Sequence, residues 1–181
     1  MTRFFFDLET YSIENVSGRT DKIISIAYKN PDSEVTVLKE WESNEKSIIN
    51  QFLTKIFEDP WSPELIGYNI LRYDMPLIVN RATEHELRTS QDLFLAFWNS
   101  YIIDLLQCLL PSNELRFKGL RAVNVAEKIS MKFTGCPSSM IKVHYENGDY
   151  EEIKKHNIED VLFVEKLYNH LKERCFNPFN K

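Results

Sequence analysis

The chain has 181 residues, is 43% hydrophobic and 13% aromatic, and carries 22 Lys+Arg against 27 Asp+Glu for a net charge of −5. That is enough to bury one sizeable core and too little for two full domains, so one domain over residues 1–174 with a short tail at 175–181 is expected. The overall charge argues against a partner held by a global basic field, and no apolar run is long enough to span a bilayer.

The three cysteines, Cys108, Cys136 and Cys175, are odd in number and lack a CxxC spacing, which predicts reduced thiols and no zinc site. No charged leader runs into an apolar segment and a small-residue cleavage site, so no signal peptide is expected and the predicted location is intracellular, cytoplasmic or nucleoid-associated. Charge is uneven: residues 116–132 carry Arg116, Lys118, Arg121, Lys128 and Lys132 against Glu127 alone. Taken alone, such a run is most simply a solvated helix face.

In chain order, residues 3–9 read as a strand, and its run of phenylalanines suggests a buried central one. Asp21–Lys29 and Ser33–Trp41 read as two strands joined by an "NPDS" turn, a hairpin. Residues 44–58 have helical spacing, with Ile48, Ile49, Phe52, Leu53 and Ile56 on one side and Ser43 as the expected N-cap. "PELIGYN" is a short strand with Gly67 near its end, and a helix is predicted from Asp74 to about Leu87, with Pro76 in its first turn. Residues 91–100 are aromatic and ambiguous, and Tyr101–Leu105 reads as another buried strand. A helix is expected over Leu115–Ile129, then an irregular stretch containing Gly135, Pro137 and Gly148. The last helix is predicted to start near Asp149, capped by an Asp149/Glu152 box, with Ile153, Val161, Val164, Leu167, Tyr168 and Leu171 as its buried stripe. This order predicts an α/β domain with a mixed sheet.

Three pieces carry chemistry. "FFFDLETYS" puts Asp7 and Glu9 on one side of a strand and Leu8 on the other. Two like charges that close repel unless a base or a divalent metal neutralises them, although a D-x-E alone is also what a strand ending in water would show. "GYNILRYD" places Asn69, Tyr73 and Asp74 between a strand and a helix start, where Asp74 could equally be an ordinary N-cap and Tyr73 a core aromatic. In "HNIED", His156 and Asp160 are four apart, roughly 40° around a helix, while Glu159 points away. Taken alone, that pair is most simply an exposed i,i+4 contact.

Together and in order, D-x-E, G-Y-N-x-x-x-Y-D and H-N-x-x-D resemble the three exonuclease motifs of the DEDD superfamily of 3′–5′ exonucleases. The closest resemblance is to the proofreading domain of family B DNA polymerases and its free-standing relatives, over residues 2–171. "YIIDLLQCLL" and "FKGLRAVNVAEKI" also look like segments those domains carry between the second and third motifs. The resemblance implies a ribonuclease H-like fold, a central mixed β-sheet flanked by helices. It implies hydrolysis of phosphodiester bonds with two divalent ions, Mg²⁺ or Mn²⁺. Asp7 would bridge both ions, Glu9 and Asp160 would complete the site that activates water, and Asp74 would hold the second ion.

In the tyrosine subclass of that superfamily a tyrosine lies four residues before the last aspartate, and here that position is His156. In the histidine subclass the histidine lies five before, and here that position is Lys155. His156 is therefore expected to orient or deprotonate the attacking water. The same resemblance sets Leu8, Glu9 and Thr10 beside a terminal nucleotide and Asn69 and Tyr73 in the cleft. Arg72 and the basic stretch after Arg116 would contact phosphates. The expected partner is single-stranded nucleic acid, DNA in preference to RNA, with replication or repair proteins as further candidates and no membrane. The rival expectation is a catalytically weak exonuclease-like module that binds nucleic acid or a protein.

Overall fold

A computed structural model of the chain describes residues 2–12, 21–58 and 62–176, with side chains to residue 173, so Cys175 and the tail expected at 175–181 have no described side chains. The strands are β1 (Arg3–Tyr11), β2 (Lys22–Lys29), β3 (Thr36–Lys39), β4 (Glu64–Gly67) and β5 (Tyr101–Asp104). Between and after them lie α1 (Glu45–Ile56), α2 (Asp74–Glu84), α3 (Ser90–Trp98), α4 (Leu105–Leu109), α5 (Ala122–Lys128), α6 (Ile141–Asn147) and α7 (Tyr150–Phe176). The strands form one mixed sheet in the order β3-β2-β1-β4-β5. β1 is central, antiparallel to β2 and parallel to β4, and β4 is parallel to β5. No helix among the described residues is long and apolar enough to cross a membrane.

Alternation along β1 sorts the two cores. Phe4, Phe6 and Leu8 face one side, packed with Phe52 of α1, Leu77 and Ile78 of α2, and Leu93 and Phe97 of α3. Phe5 faces the other, packed with Val125 of α5 and with Val161, Val164 and Leu167 of α7. Asp7 and Glu9 share Phe5's parity and therefore face α7.

Several expectations shift at element ends. Asn44, not Ser43, caps α1, accepting from the Ser47 N–H at 2.8 Å, while the Ser43 hydroxyl donates back to the Lys39 carbonyl. The five predicted stripe residues of α1 are all buried. β3 is shorter than the sequence suggests, because residues 40–42 tighten into a 3₁₀ turn. α2 stops at Glu84 rather than Leu87: Glu86 takes a left-handed φ of 56° and the Leu87 N–H returns to the Ala82 carbonyl, which closes the helix. The ambiguous stretch is the helix α3, capped by Thr89.

The expected helix over Leu115–Ile129 forms only at Ala122–Lys128. Residues 113–121 are instead a loop, with Glu114 and Leu115 at positive φ. The irregular stretch folds partly into α6, which ends where Gly148 takes a φ of 77°. At the start of α7 the predicted capping box is replaced by a different pairing, with the Asp149 carboxylate lying 3.3 Å from His144 Nδ1.

Candidate functional site

The site lies where β1 outruns β4. Pairing between these strands ends at Phe5↔Ile66, so Asp7 and Glu9 keep only β2 as a neighbour, opposite Ala27 and Ser25. Gly67 makes the exit of β4 possible: a Cβ there would meet Ile70 Cγ2 at 2.2 Å and the Phe6 carbonyl at 3.1 Å. The chain then turns through Asn69, whose φ is 65°, and reaches Asp74 at the first residue of α2.

Asp104, which the sequence reading passed over, holds this turn. Buried at the end of β5, its carboxylate accepts from the Asn69 N–H at 2.9 Å, the Leu71 N–H at 3.1 Å and the Leu106 N–H at 3.0 Å. Tyr73 braces the turn from the other side. Its hydroxyl donates to Asp21 Oδ2 at 2.7 Å and lies 3.1 Å from Thr10 Oγ1. Burial comes first among the causes that push the Tyr73 hydroxyl up to about 12. Its ring packs against the core on the α1 and α2 side.

Asp74 is not the helix cap, since Tyr73 occupies that position without a side-chain bond. The Asp74 carboxyl receives the Leu8 backbone N–H instead, which ties α2 to β1. From α7, Asn157 Nδ2 donates to Asp7 Oδ2 at 2.9 Å, and Asn157 Oδ1 accepts from Ser25 Oγ at 2.8 Å. One turn apart on α7, His156 and Asp160 complete the group. His156 Nε2 lies 3.1 Å from Asp160 Oδ2, 3.4 Å from Glu9 Oε1 and 3.2 Å from Ser138 Oγ. His156 is buried, so the pair is not the exposed helix contact that its spacing alone suggested.

The segment 133–139 crosses α7 here. The Thr134 and Gly135 N–H groups donate to Glu159 Oε2 at 2.9 and 2.8 Å, and the Thr134 hydroxyl also bonds this carboxylate. Glu159, pointing away from the acids, thus serves to seat the strap that carries Ser138.

Glu9 and Asp74 are buried, whereas Asp7 and Asp160 line a cavity of ≈ 850 Å³. The cavity's other walls include Asn69, His156, Leu106, Leu120, Phe133 and Phe163; Leu8, Thr10 and Tyr73 stand outside its lining. Among the described residues no Lys or Arg forms an ion pair with the four acids. Burial is the largest cause raising all four acids, and repulsion from neighbouring carboxylates adds to it: Asp160, Asp74 and Glu9 push Asp7 well up, Asp104 adds to Asp74, Glu159 and Asp74 add to Asp160, and Asp74 and Asp160 each rise to about 7. Burial lowers the His156 imidazole. These opposite directions weaken an ion pair between the ring and the carboxyls.

The donor set suits a divalent ion. Oxygen ligands without a basic partner match hard cations, and the ligand atoms of Glu9, His156 and Asp160 all lie within 4.8 Å of one another.

Comparison with known proteins agrees with this architecture. No curated protein matches the chain in sequence. Among solved structures, the family B DNA polymerase of the hyperthermophilic archaeon Pyrobaculum calidifontis superposes with a TM-score of 0.75 at 19% identity, over 94% of this chain and 24% of the polymerase. The chain thus spans about a quarter of that polymerase's length. The family model of the RNase_H superfamily matches residues 4–172, and the chain belongs to that superfamily.

Proposed function

We propose that the protein is a divalent-metal-dependent 3′–5′ exonuclease that hydrolyses phosphodiester bonds of single-stranded nucleic acid, DNA in preference to RNA. The observation that carries this reading is the convergence of Asp7, Glu9, Asp74 and Asp160 from β1, the start of α2 and α7, beside one cavity and without a basic partner. Membership of the RNase_H superfamily supports a nuclease, and the similarity to part of a family B DNA polymerase supports a nucleic-acid substrate.

Asp7, Glu9, Asp74 and Asp160 would hold the divalent ions, two of Mg²⁺ or Mn²⁺, that this chemistry uses. Bound there, the ions supply water activation and neutralise charge on the phosphate and the leaving 3′-oxygen. The chain's own residues set the geometry. Asn157 fixes one oxygen of Asp7, and the Leu8 N–H fixes Asp74. His156 orients the attacking water and accepts its proton at Nε2, the atom that faces Glu9 and Asp160. Among the described residues the buried Asn69 Oδ1 has no hydrogen-bond partner, which leaves it available to a bond from the terminal nucleotide. Tyr73 acts through Thr10 as a brace.

The test is incubation with 3′- and 5′-labelled single-stranded DNA and RNA in Mg²⁺, Mn²⁺ or EDTA. Shortening from the 3′ end that EDTA stops and Asp7→Ala abolishes supports the proposal. Binding without cleavage in either metal overturns it, in favour of the weakly catalytic binding module that a histidine at position 156 would suit.

A further inference from the structure

The loop 113–121, "NELRFKGLR", runs into the cavity wall, and the site chemistry above leaves its shape and composition unused. Asn113 pins it: the carboxamide nitrogen donates to the Lys118 carbonyl at 3.2 Å and to the Arg116 carbonyl, and the Arg116 N–H returns to the Asn113 carbonyl at 2.9 Å. At its far end the Tyr68 hydroxyl donates to the Leu120 carbonyl at 2.6 Å. Tyr68, Leu120 and Arg121 line the cavity that Asp7 and Asp160 also line. Glu114 and Leu115 hold left-handed φ values of 53° and 59°, a conformation that persists in non-glycine residues only where the surroundings dictate it.

This fixed geometry leaves Phe117 51% exposed between Arg116 and Lys118, both also in solvent. A large ring left in water between two cations is the arrangement that single-stranded nucleic acid rewards, with bases stacking on the ring and phosphates meeting the cations. Electrostatics points the same way. A chain of net charge −5 concentrates Arg116, Lys118, Arg121, Lys128 and Lys132 in one stretch, and Arg121 of that stretch lines the cavity with Asp7 and Asp160. A polyanion approaching those acids needs a local basic guide. The Arg116–Glu114 pair, 3.2 Å apart with side chains 73% and 76% exposed, is a surface contact that a phosphate can displace.

We infer that loop 113–121 is the lip over which single-stranded nucleic acid enters the cavity, with Phe117 stacked on a base upstream of the terminal nucleotide and Arg116, Lys118 and Arg121 on the backbone phosphates. This rests on the nuclease reading, since it takes the strand's end to lie among the acids.

The experiment measures binding of fluorescent DNA and RNA oligonucleotides of about 20 nucleotides, longer than one small binding groove, by anisotropy in EDTA across a salt series. Phe117→Ala is expected to weaken binding about tenfold, the loss of one stacked base. Arg116→Gln with Lys118→Gln is expected to lower the slope of log affinity against log salt by about 1.4, roughly 0.7 per phosphate contact. Lys46→Glu, an exposed lysine on α1, serves as the charge control and is expected to bind as the wild type does. Lip variants that bind like the wild type, or a wild type that binds neither oligonucleotide, overturn the inference. Binding that depends on the lip while no 3′ shortening occurs in Mg²⁺ or Mn²⁺ supports the lip and overturns the exonuclease reading instead.

Discussion

Asn157 is wedged between Asp7 and Ser25, giving its amide hydrogen to the first at 2.9 Å and taking the hydroxyl hydrogen of the second at 2.8 Å. Both Asn157 and Ser25 are fully buried. Asn157→Ala therefore strands a buried hydroxyl and frees Asp7, and a loss of about 1–3 kcal/mol in stability is expected from chemical denaturation. Asn157→Asp sets another carboxyl against Asp7, which raises the Asp7 pKa further and moves the acid limb of the pH–rate profile upward. A profile superimposed on the wild type would show that Asn157 does not tune Asp7.

Asp104 makes a second prediction. Asp104→Ala orphans three backbone N–H groups on the turn that leads to Asp74 and on α4. A destabilisation of about 2–5 kcal/mol is expected, with a larger fall in kcat than in KM if the turn's main task is to aim Asp74. Asp104→Asn keeps one acceptor oxygen and is expected to fall between. Urea midpoints of the three proteins decide the order.

His156→Ala is expected to lower the metal-dependent rate by about 10²–10⁴-fold, the range for a positioned general base. Burial lowers the pKa of this ring, so its neutral form persists below the ordinary value of 6.5. The wild-type rate should then decline as pH falls through that lowered value, and the alanine variant should lack this limb. An unchanged rate and pH profile removes His156 from the chemistry.

On the proposed two-ion reading, metal and pH act on the same acids. Asp74 and Asp160 titrate near 3.8 in an unfolded chain and at about 7 in the folded one. Between those values the folded state binds more protons at these two groups, so in EDTA their contribution to stability is largest at the acid end of that window and falls as pH rises toward 7. A fixed concentration of Mg²⁺ or Mn²⁺, about 100 times Kd at pH 8, should add about 2.7 kcal/mol there and less at pH 5, where protons compete and Kd rises. Asp74→Asn removes one acid from the repulsive set and should raise the melting temperature in EDTA while weakening the metal response. Thermal melts over a pH series check both; a metal response independent of pH would count against binding at these carboxylates.

Much of the site was legible in local spacing. A period of two put Asp7 and Glu9 on one face of β1, and a period of 3.6 put His156 and Asp160 on one face of α7, as they stand. The pieces that went unread lack such a period or depend on distant partners. Helix α3 buries Leu93 and Phe97 but leaves Phe94, Leu95 and Trp98 in solvent, so its apolar residues mark no single face. Loop 113–121 carries helix-forming residues, but Asn113 and two left-handed residues turn it out of the helix.

The sequence by itself determined the order of the strands, the central place of the phenylalanine strand and the acids it carries, because those follow from the alternation and helical repeat of neighbouring residues. Only the tertiary structure decided what holds the acids. Asp7 is fixed by a residue 150 positions away, Asn69 by one 35 positions away and Tyr73 by one 52 positions away. Such bonds join residues that the folded sheet alone brings together, and no local periodicity records them. The same holds for protonation. Asp7 and Asp74 are ordinary aspartates in the chain, and it is the low-dielectric crowding of β1, α2 and α7 that raises both carboxyls.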